Sequence, residues 1–129
     1  MGQRRLKQKV LVVEDDLAAL VTEVVRLELT DYDLLTATDG ATAVIAASAH
    51  RDTLALVIMD LMLPRLPGVE AIRKIREFLR DVPIVAITAY GESMRGPAMA
   101  AGATAFYVKD DVVAAIKQIR QMLKGKRDA

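Results

Sequence analysis

Five short apolar runs mark out the chain, and each ends in a polar residue. Val10, Leu11, Val12 and Val13 run into Glu14, Asp15 and Asp16. Residues 33–38 carry Leu34, Leu35 and Ala37 ahead of the turn signal Asp39-Gly40. Residues 54–59 are apolar and meet Asp60; residues 84–87 meet Thr88; residues 104–108 meet Lys109. Apolar runs bounded by turn signals predict strands, and the continuous run over 54–59 fits one buried on both faces.

The spacing between these runs is helical. Over 17–29, Leu20, Val24 and Leu27, with Val21, fall on an inward face, and Asp16 is placed to cap the first turn. Residues 41–49 are alanine-rich and helix-forming. Over 69–79, Val69, Ile72, Ile75 and Leu79 share one side, with Arg73, Lys74, Arg76 and Glu77 opposite. The last helix is predicted over 110–123, with Val113, Ile116, Ile119, Met122 and Leu123 as its apolar positions. Gly96-Pro97 interrupts the fourth helical segment. Proline is tolerated mainly in a helix's first turn, so that helix is expected to start near Pro97, leaving 90–96 as a long mobile loop. Strands alternating with helices predict an α/β fold with a parallel sheet covered on both faces. Right-handed crossovers restrict the topology, and a flavodoxin-like doubly wound sheet, order 2-1-3-4-5 with five helices, is the economical choice.

A chain of 129 residues with 53% hydrophobic content fits one domain with a substantial core. There is no cysteine, hence no disulfide framework and no zinc-thiolate site. No apolar run is long enough to span a bilayer, and no signal-type segment follows the basic start. A cytoplasmic location is expected. The net charge of +1 is unevenly spread: seven bases lie in 1–9 and 124–129, leaving 11 bases against 16 acids over 10–123. The expected organisation is a basic tail over 1–8, a domain over 9–123 and a tail over 124–129. Basic ends can touch nucleic acid or acidic lipid, but no aromatics interleave them, and solvated, frayed ends are the simpler reading. His50 has no neighbours that would make it a ligand or phosphodonor.

The chemistry gathers at the strand ends. In the predicted order, strands 1, 3, 4 and 5 bring Glu14, Asp15, Asp16, Asp60, Thr88 and Lys109 toward one edge, where open parallel sheets bind ligands. From its own stretch alone, Asp60 reads equally as a turn-forming residue. Clustered carboxylates repel unless a cation sits among them, and a hard divalent ion such as Mg²⁺ suits oxygen donors. Mg²⁺ commonly takes one or two carboxylates plus phosphate oxygens, so the site invites a phosphate.

The chain resembles the receiver domains of two-component response regulators, the family of the chemotaxis response regulator. The likeness spans 9–123. It rests on Val12-Val13-Glu14-Asp15-Asp16, the stretch Met59-Asp60-Leu61-Met62-Leu63-Pro64-Arg65-Leu66-Pro67-Gly68, Ala86-Ile87-Thr88-Ala89, Ala101-Gly102-Ala103 and Phe106-Tyr107-Val108-Lys109. It implies that Asp60 accepts a phosphoryl group from a histidine kinase or phosphotransfer protein. It implies that Glu14, Asp15, Asp60 and the Met62 carbonyl hold Mg²⁺, and that Thr88 and Lys109 each meet a phosphoryl oxygen. Phe106 would be the switch aromatic, turning inward as Thr88 moves. The fourth helix, fifth strand and fifth helix would form the face for an output partner or a second copy. Such a protein catalyses its own Mg²⁺-dependent phosphorylation and a slow autodephosphorylation. The likeness implies no membrane partner, and nucleic acid only through an effector domain that 124–129 does not supply. A single-domain regulator and a domain cut from a longer chain are both compatible with this sequence.

Three positions depart from the family pattern. Glu14 stands where aspartate is common, and Gly96-Pro97 weakens the element that usually carries output. Asp110 replaces a proline that often follows a cis bond. A non-proline cis bond costs about 3–4 kcal/mol, so Lys109-Asp110 should be trans, with Asp110 or Asp111 capping the last helix. Met62 and Tyr90 are bulky at positions where they would obstruct water and slow hydrolysis; ordinary exposed side chains are the plainer reading. An Mg²⁺-dependent aspartyl phosphatase of the haloacid-dehalogenase kind wants a second carboxylate where Met62 stands. The alternative function is a degenerate receiver that binds partners without phosphorylation.

Overall fold

The structure, a computed structural model, describes residues 7–16, 22, 25, 26 and 28–128. Its centre is β3 (Leu54–Asp60), buried at every position. On either side of β3 lie β1 (Lys9–Val13) and β4 (Ile84–Thr88), and β2 (Asp33–Ala37) and β5 (Ala105–Val108) form the edges. All pairings are parallel, and the order β2-β1-β3-β4-β5 is the one expected from sequence. Successive strand side chains point to opposite faces, so the core divides in two. Leu11, Val13, Val57, Met59, Ile84, Ala86 and Phe106 belong to one cluster. Val10, Val12, Leu56, Ile58, Val85 and Ile87 belong to the other.

Four α-helices lie among the described residues: α1 (Gly40–Ala49), α2 (Gly68–Arg76), α3 (Arg95–Ala101) and α4 (Val112–Asp128). The helix expected over 17–29, with Leu20, Val21, Val24 and Leu27 inward and Asp16 as its cap, falls largely outside the described residues. Alanines of α1, α2 and α3 pack on the first cluster; α4 covers the second with Ala115, Ile116, Ile119 and Leu123.

Four helical expectations are corrected. The segment 90–96 is not one long loop: a 3₁₀ turn over Glu92–Met94 leads directly into α3 at Arg95. Pro97 is then the third helical residue, where no intrahelical N–H bond is lost. In α4 the inward stripe runs through Val112 rather than Val113, which is 80% exposed, because 112, 116, 119 and 123 keep the helical period. Arg76, assigned to the outer side of α2, folds inward. Its Nε donates to Gly102 O (2.8 Å) and its Nη1 to Val82 O (2.6 Å) and Leu79 O (3.1 Å). A long side chain can lay its stem on apolar surface while its head finds carbonyls, and periodicity does not reveal that choice. The last helix runs to Asp128, past its expected end at Leu123.

The loop after β3 is fixed by close backbone approach. Gly68 N–H donates to Leu61 O at 3.1 Å. A Cβ on Gly68 would lie 2.4 Å from Asp60 O and 2.6 Å from the Leu61 Cα. Across the loop, Asp39 caps α1 by accepting from Thr42 N–H (2.8 Å). It also accepts from Arg65 Nη1 (3.2 Å), and Arg65 sits in the left-handed region at φ 66°. The start of α1 therefore holds the loop that carries the chain away from Asp60.

Gly68→Ala is expected to lower stability by roughly 2–3 kcal/mol, the cost of overpacking against backbone. It would be read as a lower urea midpoint with unchanged slope. Gly91→Ala, where an added Cβ meets nothing within 4 Å, should leave the midpoint nearly unmoved.

Candidate active site at the strand ends

Strand register assembles the site. Val13 pairs with Met59, and one residue further on Glu14 follows β1 as Asp60 ends β3. Asp60 pairs with Ile87, the residue before Thr88, and Thr88 pairs with Val108, the residue before Lys109. Four strand tips thus deliver the residues expected from sequence. Glu14 and Asp60 are both buried, while Asp15 is exposed. Oxygens of Glu14, Asp15 and Asp60 lie within 4.8 Å of one another. Asp16, also considered from sequence, stays outside this group, with its backbone N–H donating to Glu14 Oε1 at 3.3 Å.

Lys109 closes the cluster. Its Nζ lies 3.0 Å from Glu14 Oε2 and donates to Asp60 Oδ2 at 3.2 Å. The other Asp60 oxygen, Oδ1, accepts from the Met62 N–H at 3.0 Å. The Lys109-Asp110 peptide is trans, as expected, and a 3₁₀ turn over Lys109–Asp111 leads into α4. The lysine reaches Asp60 without a proline behind it.

Burial pushes the Glu14 carboxyl up to about 7; Lys109 pulls against this, and the neighbouring Asp60 and Asp15 add to it. Burial draws the Lys109 amine down, but its bonds to Glu14 and the charge of Asp60 outweigh that and leave it raised. The lysine therefore stays charged at neutral pH, while Glu14 titrates there. Three carboxylates against one ammonium leave a surplus of negative charge on hard oxygen donors. That donor set fits a divalent cation such as Mg²⁺, with Glu14, Asp15 and Asp60 as the side chains able to hold it.

Thr88 and Phe106 lie on the other face of the sheet. Thr88 is fully buried, and its Oγ1 accepts from the Tyr90 N–H at 3.1 Å, which leaves the hydroxyl hydrogen free to donate. Phe106 pairs with Ala86, two residues before Thr88. It is 4% exposed and part of the core. Met62 and Tyr90 are 46% and 59% exposed. Sequence reasoning missed three residues near this edge: Asp39, read only as a turn, Arg65, and Arg95, whose guanidinium lies 4.8 Å from the centre of the Phe106 ring. The only sequence signal was the Asp39-x-x-Thr42 capping pattern.

A parallel sheet of this order, with an acidic pocket and a lysine at its carboxyl edge, defines a receiver-type signalling domain. Residues 10–124 match the response regulator receiver domain, and the chain belongs to that family. It is 30% identical to the transcriptional regulatory protein PrrA of Mycobacterium tuberculosis, over 92% of this chain and 51% of PrrA. It is 33% identical to the alkaline phosphatase synthesis transcriptional regulatory protein PhoP of Bacillus subtilis, over 67% of this chain and 35% of PhoP. The chain thus matches between a third and a half of the length of these relatives. A similar solved structure is the receiver domain of a sensor histidine kinase from Pseudomonas aeruginosa, with a magnesium ion coordinated in its active site cleft. It is 29% identical, with a TM-score of 0.74, and the match covers 92% of this chain and 99% of that one. Among the described residues, no helix is long and apolar enough to cross a membrane.

The Glu14 shift has a sign that can be checked. Its folded value lies above the ordinary 4.5, so the metal-free fold gains stability from it below that value and loses the gain as pH rises through about 7. A cation must displace that proton. Mg²⁺ affinity is expected to rise roughly tenfold from pH 6 to pH 8, following the ionised fraction. Calorimetric titration in two buffers of different ionisation enthalpy should show proton release that fades toward pH 8. A flat affinity without proton release would contradict it.

Proposed function

We propose that this chain is a phosphoacceptor receiver: Asp60 takes a phosphoryl group from the phosphohistidine of a histidine kinase or phosphotransfer protein, and the resulting acyl phosphate resets a partner-binding face. One observation carries the reading, namely Lys109 held at 3.0 Å from Glu14 and 3.2 Å from Asp60 where the strand tips converge. A lysine drawn among buried acids at the carboxyl edge of the sheet suits a group that gains negative charge.

In the proposed step a carboxylate oxygen of Asp60 attacks phosphorus. The P–N bond to the donor imidazole breaks, and its electron pair stays on the imidazole. Phosphoryl transfer depends chiefly on in-line positioning and neutralisation of the equatorial oxygens. The Met62 N–H and the Lys109 ammonium hold the two Asp60 oxygens, orienting the carboxylate before attack. Lys109 then follows the new charge onto a phosphoryl oxygen, and the Thr88 hydroxyl, with its hydrogen free, donates to another. Mg²⁺, held by Glu14, Asp15, Asp60 and the Met62 carbonyl, would supply positive charge in addition to that of Lys109 and lower the cost of bringing two anions together. Water attacking the acyl phosphate later restores Asp60 and releases inorganic phosphate. Met62 and Tyr90 stand where they would hinder that water, so the signal is slow to decay.

The domain so proposed spans 9–123, with 1–8 and 124–129 flanking it. The output face is α3, β5 and α4, presented to a partner or a second copy, and the compartment is the cytoplasm. The intact set of acids, hydroxyl and lysine supports this reading over a phosphorylation-independent module. Acetyl phosphate with Mg²⁺ is expected to add one phosphoryl group to the wild type, seen by mass spectrometry. Asp60→Asn should add none, and chelation of the metal should abolish the adduct. An unmodified wild type, or an adduct that survives in Asp60→Asn, would refute the proposal. Met62→Ala with Tyr90→Ala should shorten the lifetime of the adduct several-fold, followed by inorganic phosphate release.

A further inference from the structure

Phe106 lies in the core, and Arg95 stands over it. The guanidinium carbon lies 4.8 Å from the ring centroid, within the range of an attractive cation–π contact. Glu92 fixes that guanidinium from behind, accepting from Nε at 2.6 Å and from Nη2 at 3.1 Å. Such a fork holds the plane of an arginine as well as its charge. The two residues are three apart across the junction of the 3₁₀ turn and α3. Each shifts the other toward its charged form: Glu92 is lowered by the Arg95 bond, and Arg95 is raised by Glu92. Both side chains are at least half exposed, so the ion pair itself adds little stability. Its effect is to orient the cation onto the ring.

The identity of the ring favours the same state. Phenylalanine has no hydroxyl to hydrogen-bond with water, so swinging outward would expose an apolar ring without compensation. With Met99 and Tyr107, the pair also lines a groove of about 410 Å³ at this face.

We propose that Glu92 and Arg95 clamp Phe106 in its inward position before any phosphoryl group arrives, making Arg95 a positioning residue for the switch. The inference rests on the reading of Phe106 as the switch aromatic. The resting chain then already holds one half of the two-state element, and phosphorylation of Asp60 has only the Thr88 side left to bias. Contact between this face and a partner would depend less on phosphorylation than a freely rotating ring allows.

The test uses 4-fluorophenylalanine in the full chain, which has two phenylalanines, with Phe78→Leu to assign them. Fluorine NMR in light and heavy water reads exposure of the Phe106 ring. In the resting wild type its fluorine should show one buried resonance, unchanged by beryllofluoride with Mg²⁺. Arg95→Ala should raise the outward-to-inward ratio roughly tenfold, the size of a lost cation–π contact, and beryllofluoride should restore the buried signal. Glu92→Gln should fall between the two, and Arg95→Lys should recover part of the effect. A ring that stays buried in Arg95→Ala overturns the clamp, as does an exposed resting wild-type ring. Acetyl phosphate labelling of Asp60 in the same samples separates the two claims. Failure to label would sink the phosphoacceptor reading while the resting-state fluorine spectra still decide the clamp.

Discussion

The ammonium of Lys109 between Glu14 and Asp60 is the contact on which the carboxyl edge of the sheet depends. Two buried carboxylates on adjacent strands repel strongly in a medium of low dielectric. Without a cation between them, Glu14 would take up a proton or β1 and β3 would have to separate at their tips. Lys109 reaches both acids from the far side of β4. Its reach is set by β5 and the 3₁₀ turn rather than by a cis proline. The cluster is only partly compensated, and the Glu14 carboxyl, pushed up to about 7, registers that deficit. The same deficit that strains the fold makes the edge receptive to a divalent ion.

Sheet parity separates the acidic cluster from Phe106. The strand positions that lead to Glu14 and Asp60 lie on the face covered by α4, with Val10, Val12, Leu56 and Ile58 beneath them. Phe106 packs on the opposite face with Met59 and Ala86, under α2 and α3. Thr88 ends β4, beside the strand of Asp60 and one strand from Phe106. In the proposed switch it is the residue through which an event on one face would be felt on the other, by a shift of its hydroxyl.

Much of this was legible in the sequence because its signals are local. Apolar runs ended by Glu14, Asp60, Thr88 and Lys109 fix both strand identity and strand end, and the crossover rule then leaves few sheet orders. What the sequence hid depends on side chains choosing between two acceptable environments. Arg76 could have faced water with Arg73 and Lys74, but unpaired carbonyls at Leu79, Val82 and Gly102 draw it inward. Val112 rather than Val113 faces the core because the preceding 3₁₀ turn sets the rotation at which α4 begins. The pairing of Asp39 with Arg65, and of Arg95 with the Phe106 ring, joins residues from separate loops and elements. No periodicity encodes such meetings. Within 17–29 the described Thr22, Val25 and Leu29 are buried, positions that the apolar spacing had not put on the inward face.

The most direct measurement is urea unfolding of Lys109→Met beside the wild type at pH 8, where Glu14 is ionised, with and without Mg²⁺. Removing the cation from beside Glu14 and Asp60, so that the acids repel or Glu14 takes up a proton, should cost about 2–3 kcal/mol in metal-free buffer, somewhat below a fully buried pair because Lys109 is partly exposed. Saturating Mg²⁺ should return a substantial part of that loss through its preference for the folded state. Equal stability of the two proteins without metal, or a deficit in Lys109→Met that Mg²⁺ leaves untouched, would contradict the account.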